Sequence, residues 1–214
     1  MVIIAIDGPA GAGKSTVGRA VAARLGLEYL DTGAMYRAVT FAALRRGIDP
    51  ADDDDVAALA AEVDIRVEMP VDGPSVTVDG VDATVEIRGR EVTAAVSAVA
   101  ANGRVRAELV RRQRSWAAAR GGGVVEGRDI GSVVFPDATL KLFVTASPRV
   151  RAERRVAENG GDVDEVEASI IERDRKDSTR ADSPLIESSG AVVVDTTGLS
   201  IDEVVERVLE LMPA

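Results

Sequence analysis

The chain has 214 residues, a formal net charge of −10, and neither cysteine nor histidine. These absences exclude disulfides, thiolate metal sites, cysteine nucleophiles and Ser-His-Asp triads, and they remove the usual general base and zinc ligand. An acidic chain without a long apolar run is not expected to bind nucleic acid broadly or to enter a membrane. We expect a cytoplasmic protein that works as a monomer.

The positive charge of the chain is carried almost entirely by arginine. Three of the 26 basic residues are lysine, which leaves 23 arginines, many of them clustered. Arginine presents a planar fork that binds phosphate at two points, so local arginine clusters favour small phosphorylated ligands. A GC-rich coding bias would also give this ratio, although it would not explain particular clusters.

The first quarter of the chain predicts alternating strands and helices. Residues 2–6 form an apolar run typical of a strand buried on both faces of a parallel sheet. Residues 14–25 carry apolar positions at helical spacing, "LEYL" predicts a second strand, and residues 31–47 predict a capped helix. Four aspartates at 52–55 precede an alanine-rich helix, and we interpret them as favourable charge at a helix start rather than as a metal site.

The pattern of apolar and polar residues changes in the middle of the chain. Apolar and polar residues alternate between about 64 and 90, with glycine, proline and aspartate at the turns, which predicts a small antiparallel insertion that includes Val85 and Ile87. A helical pattern then runs from residue 91 to about residue 120. It ends in a run of three glycines.

Three more strands are predicted at residues 124–126, 140–144 and 192–194, with helices between them. The last helix opens with a capping box formed by Ser200 and Glu203. Five short buried strands that alternate with helices indicate an α/β fold with a five-stranded parallel sheet and flanking helices. We therefore predict a single domain over residues 1–214, with an insertion at about 64–90.

A phosphate-binding loop lies between the first strand and the first helix. Gly8-x-x-x-x-Gly13-Lys14-Ser15 matches the pattern without a gap and lies in the required strand-to-helix context. Backbone N–H groups of such a loop surround the β-phosphate, Lys14 reaches the β- and γ-phosphates, and the Ser15 hydroxyl binds Mg²⁺. The predicted ATP-binding residues are Gly8, Pro9, Ala10, Gly11, Ala12, Gly13, Lys14, Ser15 and Thr16.

Other charged residues follow the strands, where ligands bind in open α/β sheets. Arg37 follows the second strand, and "EGRDIG", with Arg128 and Asp129, follows the third. An exposed helical arginine and an ordinary surface turn are the alternatives. Glu126, at the end of its strand, is either a partner of the metal site or of a lid arginine.

Two arginine-rich helices joined by "NGGD" predict a lid over about residues 148–180. The first contains Arg149, Arg151, Arg154 and Arg155, and the second contains Arg173, Arg175, Lys176 and Arg180. The alternative is a solvated surface on which these residues pair with acidic neighbours. The candidate neighbours are Glu153, Glu158, Glu172 and Asp174.

The lack of histidine bears on the phosphate acceptor. A phosphate oxygen is already anionic at neutral pH, whereas a hydroxyl must lose a proton during transfer. This favours a nucleoside monophosphate as acceptor, although an aspartate could serve as base for a hydroxyl. A kinase that acts on UMP or on a hydroxyl remains open, as does a nucleotide-gated switch, against which no Asn-Lys-x-Asp signature occurs.

The chain resembles the bacterial cytidylate kinases nearly from end to end. The resemblance is carried by "IDGPAGAGKST", "LDTGAMYRA", "VEIRGREVTAAVSAVA", "RVRAELVRRQR", "VVEGRDIGSVVFPDA", "RDRKDSTRADSPL" and "VVVDTTGLSIDEV". It implies a three-layer P-loop nucleoside monophosphate kinase fold with a helical lid. It also implies that ATP, with Mg²⁺, phosphorylates CMP or dCMP.

The resemblance also implies residue roles. The cytosine contacts are Thr32, Ser97, Arg106 and Asp129; the acceptor-phosphate clamp is Arg37, Arg128 and Arg180; the ribose contacts are Arg173 and Asp177; and the lid arginines are Arg151, Arg154 and Arg155. The insertion corresponds to the family's extra domain on the monophosphate side, which moves when CMP binds. Thr32 stands where some relatives carry serine, which keeps the hydroxyl. Lys176 stands where some carry arginine, which weakens any bidentate role there.

Overall fold

The computed structural model describes residues 1–69 and 73–212, with eight strands and eight α-helices over these ranges. In chain order they are β1 (Val2–Asp7), α1 (Lys14–Leu25), β2 (Tyr29–Asp31), α2 (Thr32–Arg45), α3 (Asp53–Glu62), β3 (Ile65–Glu68), β4 (Ser75–Val78), β5 (Val81–Asp82), α4 (Arg90–Ala101), α5 (Gly103–Arg120), β6 (Gly122–Gly127), β7 (Leu140–Thr145), α6 (Pro148–Asn159), α7 (Val163–Thr179), β8 (Val192–Asp195) and α8 (Ile201–Glu210). None of these helices has both the length and the apolar character needed to cross a bilayer.

The main sheet has five strands in the order β2-β6-β1-β7-β8. The central strand β1 pairs in parallel on both sides, so that Ile4 lies opposite Val124 of β6 and Leu140 of β7. Ile4 and Ile6 are fully buried, as expected for a strand covered on both faces. The predicted five-stranded parallel sheet with flanking helices is therefore confirmed.

Strand β6 begins earlier than its sequence pattern predicts. Gly122 and Gly123, which we expected to end the preceding helix, are strand residues paired with Val2 and Ile3. Gly122 has a φ of 134°, and a Cβ there would lie 2.1 Å from the Val2 carbonyl oxygen. Only glycine allows this close approach, so here it extends a strand rather than ending a helix.

The chain forms two compact units. The first contains Met1–Tyr29 and Arg120–Ala214, and the second contains Leu30–Ala119. The second unit includes α2 to α4, most of α5, and a three-stranded antiparallel sheet in the order β3-β4-β5. It also holds Trp116, the single tryptophan of the chain. The antiparallel insertion is confirmed as a sheet, while the domain boundaries given from the sequence stay a prediction.

Two local predictions in the second unit are wrong. Val85 and Ile87 do not lie in a strand: Glu86–Arg88 is a short 3₁₀ helix, because the Ile87 and Arg88 amides bond to carbonyls three or four residues back. The predicted helix over residues 91–120 is two helices. They are separated at Asn102, whose side-chain oxygen accepts hydrogen bonds from the Arg104 and Val105 amides and so caps α5.

Candidate active site

The glycine-rich loop leads directly from β1 into α1. A Cβ at Gly8 would lie 1.9 Å from the Val144 carbonyl oxygen, so the chain can leave β1 on this path only with glycine there. Gly13, just before the helix, has a φ of 88°. This brings the chain to α1 with its first N–H groups exposed to the loop, an arrangement that favours an anion.

Lys14 and Ser15 begin α1 and lie at this anion-binding end. Lys14 is 7 % exposed, and its Nζ donates to the Pro9 carbonyl oxygen at 2.7 Å, so the ammonium lies within the loop. Ser15 Oγ donates to Glu126 Oε1 at 2.6 Å, and Glu126 is 4 % exposed at the end of β6. The hydroxyl and the carboxylate are oxygen ligands of the kind that Mg²⁺ prefers, so the residues present fit this ion.

Behind the loop, the Asp7 carboxylate at the end of β1 is buried. Its two oxygens accept hydrogen bonds from the Ile130 and Gly131 amides, both at 2.7 Å. The pKa of Asp7 is raised to about 6, chiefly by burial and to a smaller extent by the neighbouring Asp129, while the two amides and Lys14 act in the opposite direction. Asp7 thus joins the strand before the loop to the segment after β6.

Arg128 and Asp177 form an ion pair within the first unit. Arg128 Nε donates to Asp177 Oδ2 at 2.9 Å, and the Arg128 and Asp177 side chains are 19 % and 10 % exposed. Arg173 lies four residues before Asp177 on α7 and therefore on the same face of that helix. Arg180, at the end of α7, donates from Nε to the Ser183 carbonyl oxygen at 2.7 Å.

The predicted lid residues lie on α6 and α7. Arg151 is 3 % exposed; its Nε donates to the Ala146 carbonyl at 2.9 Å, its Nη1 to the Ala10 carbonyl at 3.1 Å, and its Nη2 lies 2.7 Å from Asp174 Oδ2. Arg154 donates to the hydroxyl and the carbonyl of Thr196 at 3.0 and 2.9 Å. Arg151 therefore connects the glycine-rich loop with both helices, and Arg155 is half-buried on the same helix.

Some of the basic lid residues pair with acidic neighbours, as the solvated-surface alternative predicts. Arg149 lies 3.5 Å from Glu153, and Arg175 lies 2.8 Å from Glu172. Arg149 also bonds to Asp164 and Glu167 on α7. The pairs of Arg149 with Asp164 and Glu167 join the two helices, whereas the other two pairs each lie within one helix. All of them are distinct from the buried contacts of Arg151.

The second unit contains the other residues singled out by the sequence. Arg37, half-buried on α2, donates from Nη1 to the Ile87 carbonyl at 3.0 Å and to Thr93 Oγ1 at 2.9 Å. Arg106 is 4 % exposed, and its guanidinium lies over the Tyr36 ring, 5.5 Å from the centroid. Both arginines are held in place, so Arg37 is not the exposed helical arginine of the alternative reading.

Thr32 and Ser97 complete the residues assigned to cytosine in this unit. Thr32 is 3 % exposed at the first position of α2, and Ser97 is half-buried on α4. Asp31 caps α2 through a bond from the Ala34 amide at 3.0 Å. The cap fixes where α2 begins and therefore fixes Thr32.

A model of the protein family named cytidylate kinase matches residues 4–214. The chain belongs to the cytidylate kinase family. It is 49 % identical over 213 residues to a cytidylate kinase of Streptomyces avermitilis, covering 99 % of this chain and 92 % of that protein. It is 50 % identical over 216 residues to a cytidylate kinase of Mycobacterium leprae, covering 99 % and 95 %.

The fold also matches solved P-loop kinases. A gluconokinase from Sinorhizobium meliloti superposes with a TM-score of 0.51 at 17 % identity, covering 98 % of this chain and 90 % of that one. At this identity the likeness shows the fold alone. The resemblance to cytidylate kinases and the P-loop kinase fold are thus confirmed.

Within this cytidylate kinase family member, the structure brings together some predicted residues that the sequence separates. Glu126 contacts Ser15, and Arg128 pairs with Asp177 although the resemblance gave these two residues different roles. Asp7 had no predicted role, because a single aspartate at a strand end looks like part of the loop motif. Its position at the carboxyl end of a central strand is the signal that could have found it.

Thr196 was also missed. It is 4 % exposed, and its hydroxyl donates to the Ala12 carbonyl at 3.1 Å and accepts from Arg154. It therefore lies between the glycine-rich loop and α6. Its only sequence signal is a threonine directly after the last strand, which is too common to single out.

Proposed function

We propose that this chain transfers the γ-phosphoryl group of ATP to CMP or dCMP, giving ADP and CDP or dCDP. The observation that carries the proposal is membership of the cytidylate kinase family over nearly the whole chain. The glycine-rich loop, with Lys14 buried inside it, supports ATP as the donor. No Asn-Lys-x-Asp sequence is present, which counts against a guanine-nucleotide switch.

On the donor side, we assign residues 8–16 to ATP. The N–H groups of the loop bind the phosphates, and Lys14 neutralises charge that develops on the transferring group. Ser15 and Glu126 would hold Mg²⁺, which would supply further neutralisation of phosphate charge. Arg151, Arg154 and Arg155 act from the lid, Arg151 through the carbonyl of Ala10 that it holds.

On the acceptor side, Arg37, Arg128 and Arg180 bind the CMP phosphate, and Arg173 with Asp177 bind the ribose. Thr32, Ser97, Arg106 and Asp129 recognise cytosine. The arginine forks suit a phosphate dianion, and the Arg128–Asp177 pair would present both groups together. An anionic phosphate acceptor needs no strong base, which agrees with a chain that has no histidine.

We propose that the chain acts as a monomer. ATP and CMP are intracellular metabolites, which supports a cytoplasmic location. Size-exclusion chromatography with light scattering tests the first point. A mass near twice the 22.4 kDa of one chain would contradict it.

The test of the activity is a coupled assay of ADP formation with AMP, GMP, UMP, CMP and dCMP offered separately. We expect CMP or dCMP to give the highest kcat/KM. A higher value for AMP or GMP would overturn the assignment, and a higher value for UMP would favour the related kinase alternative. Multiple turnovers that require an acceptor would exclude a switch that hydrolyses ATP slowly.

A further inference from the structure

The segment after β6 turns sharply at a single π-helical turn, Ile130–Val134. The first amides of any such turn have no carbonyl acceptor within it and must find one elsewhere. Asp129 stands at the capping position, yet its side chain makes no capping bond. The Ile130 and Gly131 amides bond instead to the two oxygens of Asp7. The turn is therefore capped from another strand.

Asp7 is well suited to fix this turn. It is 3 % exposed and is paired in the sheet with Gly127 on one side and Phe143 on the other. The residue after it is Gly8, where no other residue fits against the Val144 carbonyl. The Asp7 backbone is thus held by the centre of the sheet, and each carboxylate oxygen already has its own amide donor.

We propose that Asp7 is a positioning residue for the phosphate acceptor, because it caps the 130–134 turn in place of Asp129 and so fixes Arg128 and Asp129. This inference rests on the proposed function, in which those two residues bind CMP. When Asp7 takes both amides, the Asp129 carboxylate is not drawn back onto its own turn. The backbone of Arg128 is held at the same time, beside its ion pair with Asp177.

Two simpler roles for Asp7 predict different kinetics from acceptor positioning. A purely structural Asp7 would alter stability and would change the KM values for both nucleotides in the same proportion. A role on the donor side would act through Lys14, whose ammonium is bonded to Pro9 and lies close enough to attract the Asp7 charge. That role would raise the KM for ATP. Positioning of the acceptor predicts a selective rise in the KM for CMP.

The first experiment compares steady-state kinetics of Asp7→Asn and Asp7→Ala with the wild type. Asn keeps the size of the side chain and one acceptor oxygen but turns its NH₂ group toward the second backbone amide. We expect the KM for CMP to rise about tenfold, which corresponds to about 1.4 kcal/mol. We expect the KM for ATP and kcat to change by less than about threefold, since the donor loop is not displaced.

The matched control is Asp52→Asn. Asp52 also accepts two backbone amide bonds, from Asp54 and Asp55, but it is exposed at the start of α3. Asparagine is as good a cap as aspartate there, so this variant should keep both KM values. A double-mutant cycle adds Asp129→Asn: the Asp7→Asn effect on the KM for CMP should shrink in that background, because Asp7 acts through Asp129.

A measurement on the wild type covers the case in which the Asp7 variants do not fold. CMP should slow hydrogen exchange at the Ile130 and Gly131 amides more than a non-hydrolysable ATP analogue does. Equal protection by the two nucleotides, equal rises in both KM values, or additivity in the cycle would each overturn the inference while leaving the proposed function intact. A wild type that does not turn over CMP would overturn both.

Discussion

The donor loop and the residues assigned to the acceptor are organised in opposite ways. The loop is contiguous, residues 8–16, and its lysine is held by a carbonyl of the same loop. The acceptor residues come from four helices, α2, α4, α5 and α7, and from the segment after β6. Two of their arginines are held by partners about fifty residues away in the sequence. Arg37 bonds to Ile87 and Arg128 bonds to Asp177.

The phosphate-binding loop is encoded by a short local sequence, whereas acceptor recognition depends on tertiary packing. The loop needs only glycines, a lysine and a following helix. The acceptor arginines need their surroundings to set where each guanidinium points. Two tertiary contacts within the first unit involve the loop or the strand before it, Arg151 to Ala10 and Asp7 to the 130–134 turn, and they offer the sharpest ways to test how local the loop is.

The largest effect is expected for Arg151→Gln. Removing this guanidinium takes a partner from Asp174 and from two carbonyls in a buried place. Breaking such a pair lowers the free energy of unfolding by about 3 to 5 kcal/mol. Chemical denaturation followed by circular dichroism measures it. Arg149→Gln, two residues earlier on α6 with exposed partners, is the control and should change stability little. Equal losses of unfolding free energy in the two variants would mean that the buried contacts of Arg151 stabilise the protein no more than an exposed ion pair does.

Next comes Lys14→Met. Loss of the charge inside the loop should lower kcat by about a hundredfold to a thousandfold, as for other groups that stabilise charge in a transition state. Steady-state kinetics at saturating ATP and CMP measure it. Lys141→Met serves as control because Lys141 bonds to the Ser189 carbonyl at an exposed site on β7. If Lys14→Met kept kcat, the loop would not be the donor site.

Asp7 gives a pH-dependent effect of intermediate size. Its folded pKa, about 6, lies above the ordinary value of 3.8 for an aspartate, so its stabilising contribution is full below about pH 4 and is lost as pH rises through about 6. The shift corresponds to no more than about 3 kcal/mol. We expect the unfolding free energy of the wild type, relative to Asp7→Asn, to fall as pH rises from about 4 to about 6.5.

Denaturant titrations of both proteins across this window provide the measurement. The residue at position 7 in the variant does not titrate, so the other groups of the chain cancel in the difference. A difference that stays flat, or that rises with pH, would show that Asp7 is not a buried carboxylate of raised pKa.

The smallest of the four effects is expected for Arg37→Ala. If Arg37 binds the acceptor phosphate, the KM for CMP should rise about thirtyfold and the KM for ATP should stay within about twofold. Arg45→Ala is the control on the same helix, since Arg45 is exposed and lies over the Phe41 ring. Equal changes in both KM values would reject the clamp role. Arg37 would then have a structural role through its hydrogen bond to the Ile87 carbonyl.

The order of the elements and the sheet could largely be read from the sequence. The bounds of α1 agree with the pattern because apolar spacing and a glycine stop mark both ends of the helix. The errors have two causes, which are tertiary partners that a local pattern does not reveal and local hydrogen bonds that apolar spacing does not mark. Gly122 extends β6 because Val2 lies close to it, and Asn102 divides a helical pattern because its side chain caps a new helix.

The site follows the same rule. The place of the glycine-rich loop between β1 and α1 was predictable, but the pairing of Arg128 with Asp177 and the cap that Asp7 provides depend on elements adjacent only in the folded chain. No motif in a single sequence marks a carboxylate that accepts hydrogen bonds from a distant turn. Such residues are found when the hydrogen-bond partner of each buried polar group is identified in the folded structure.

Trp116 is an intrinsic fluorescence probe for one of the two units. It lies on α5 within Leu30–Ala119, and no other tryptophan is present in the chain. Tryptophan emission during denaturation therefore follows the second unit, whereas far-ultraviolet circular dichroism follows the helices of both. Coincident curves would mean that the whole chain unfolds in one cooperative transition, and separated curves would give each unit its own stability.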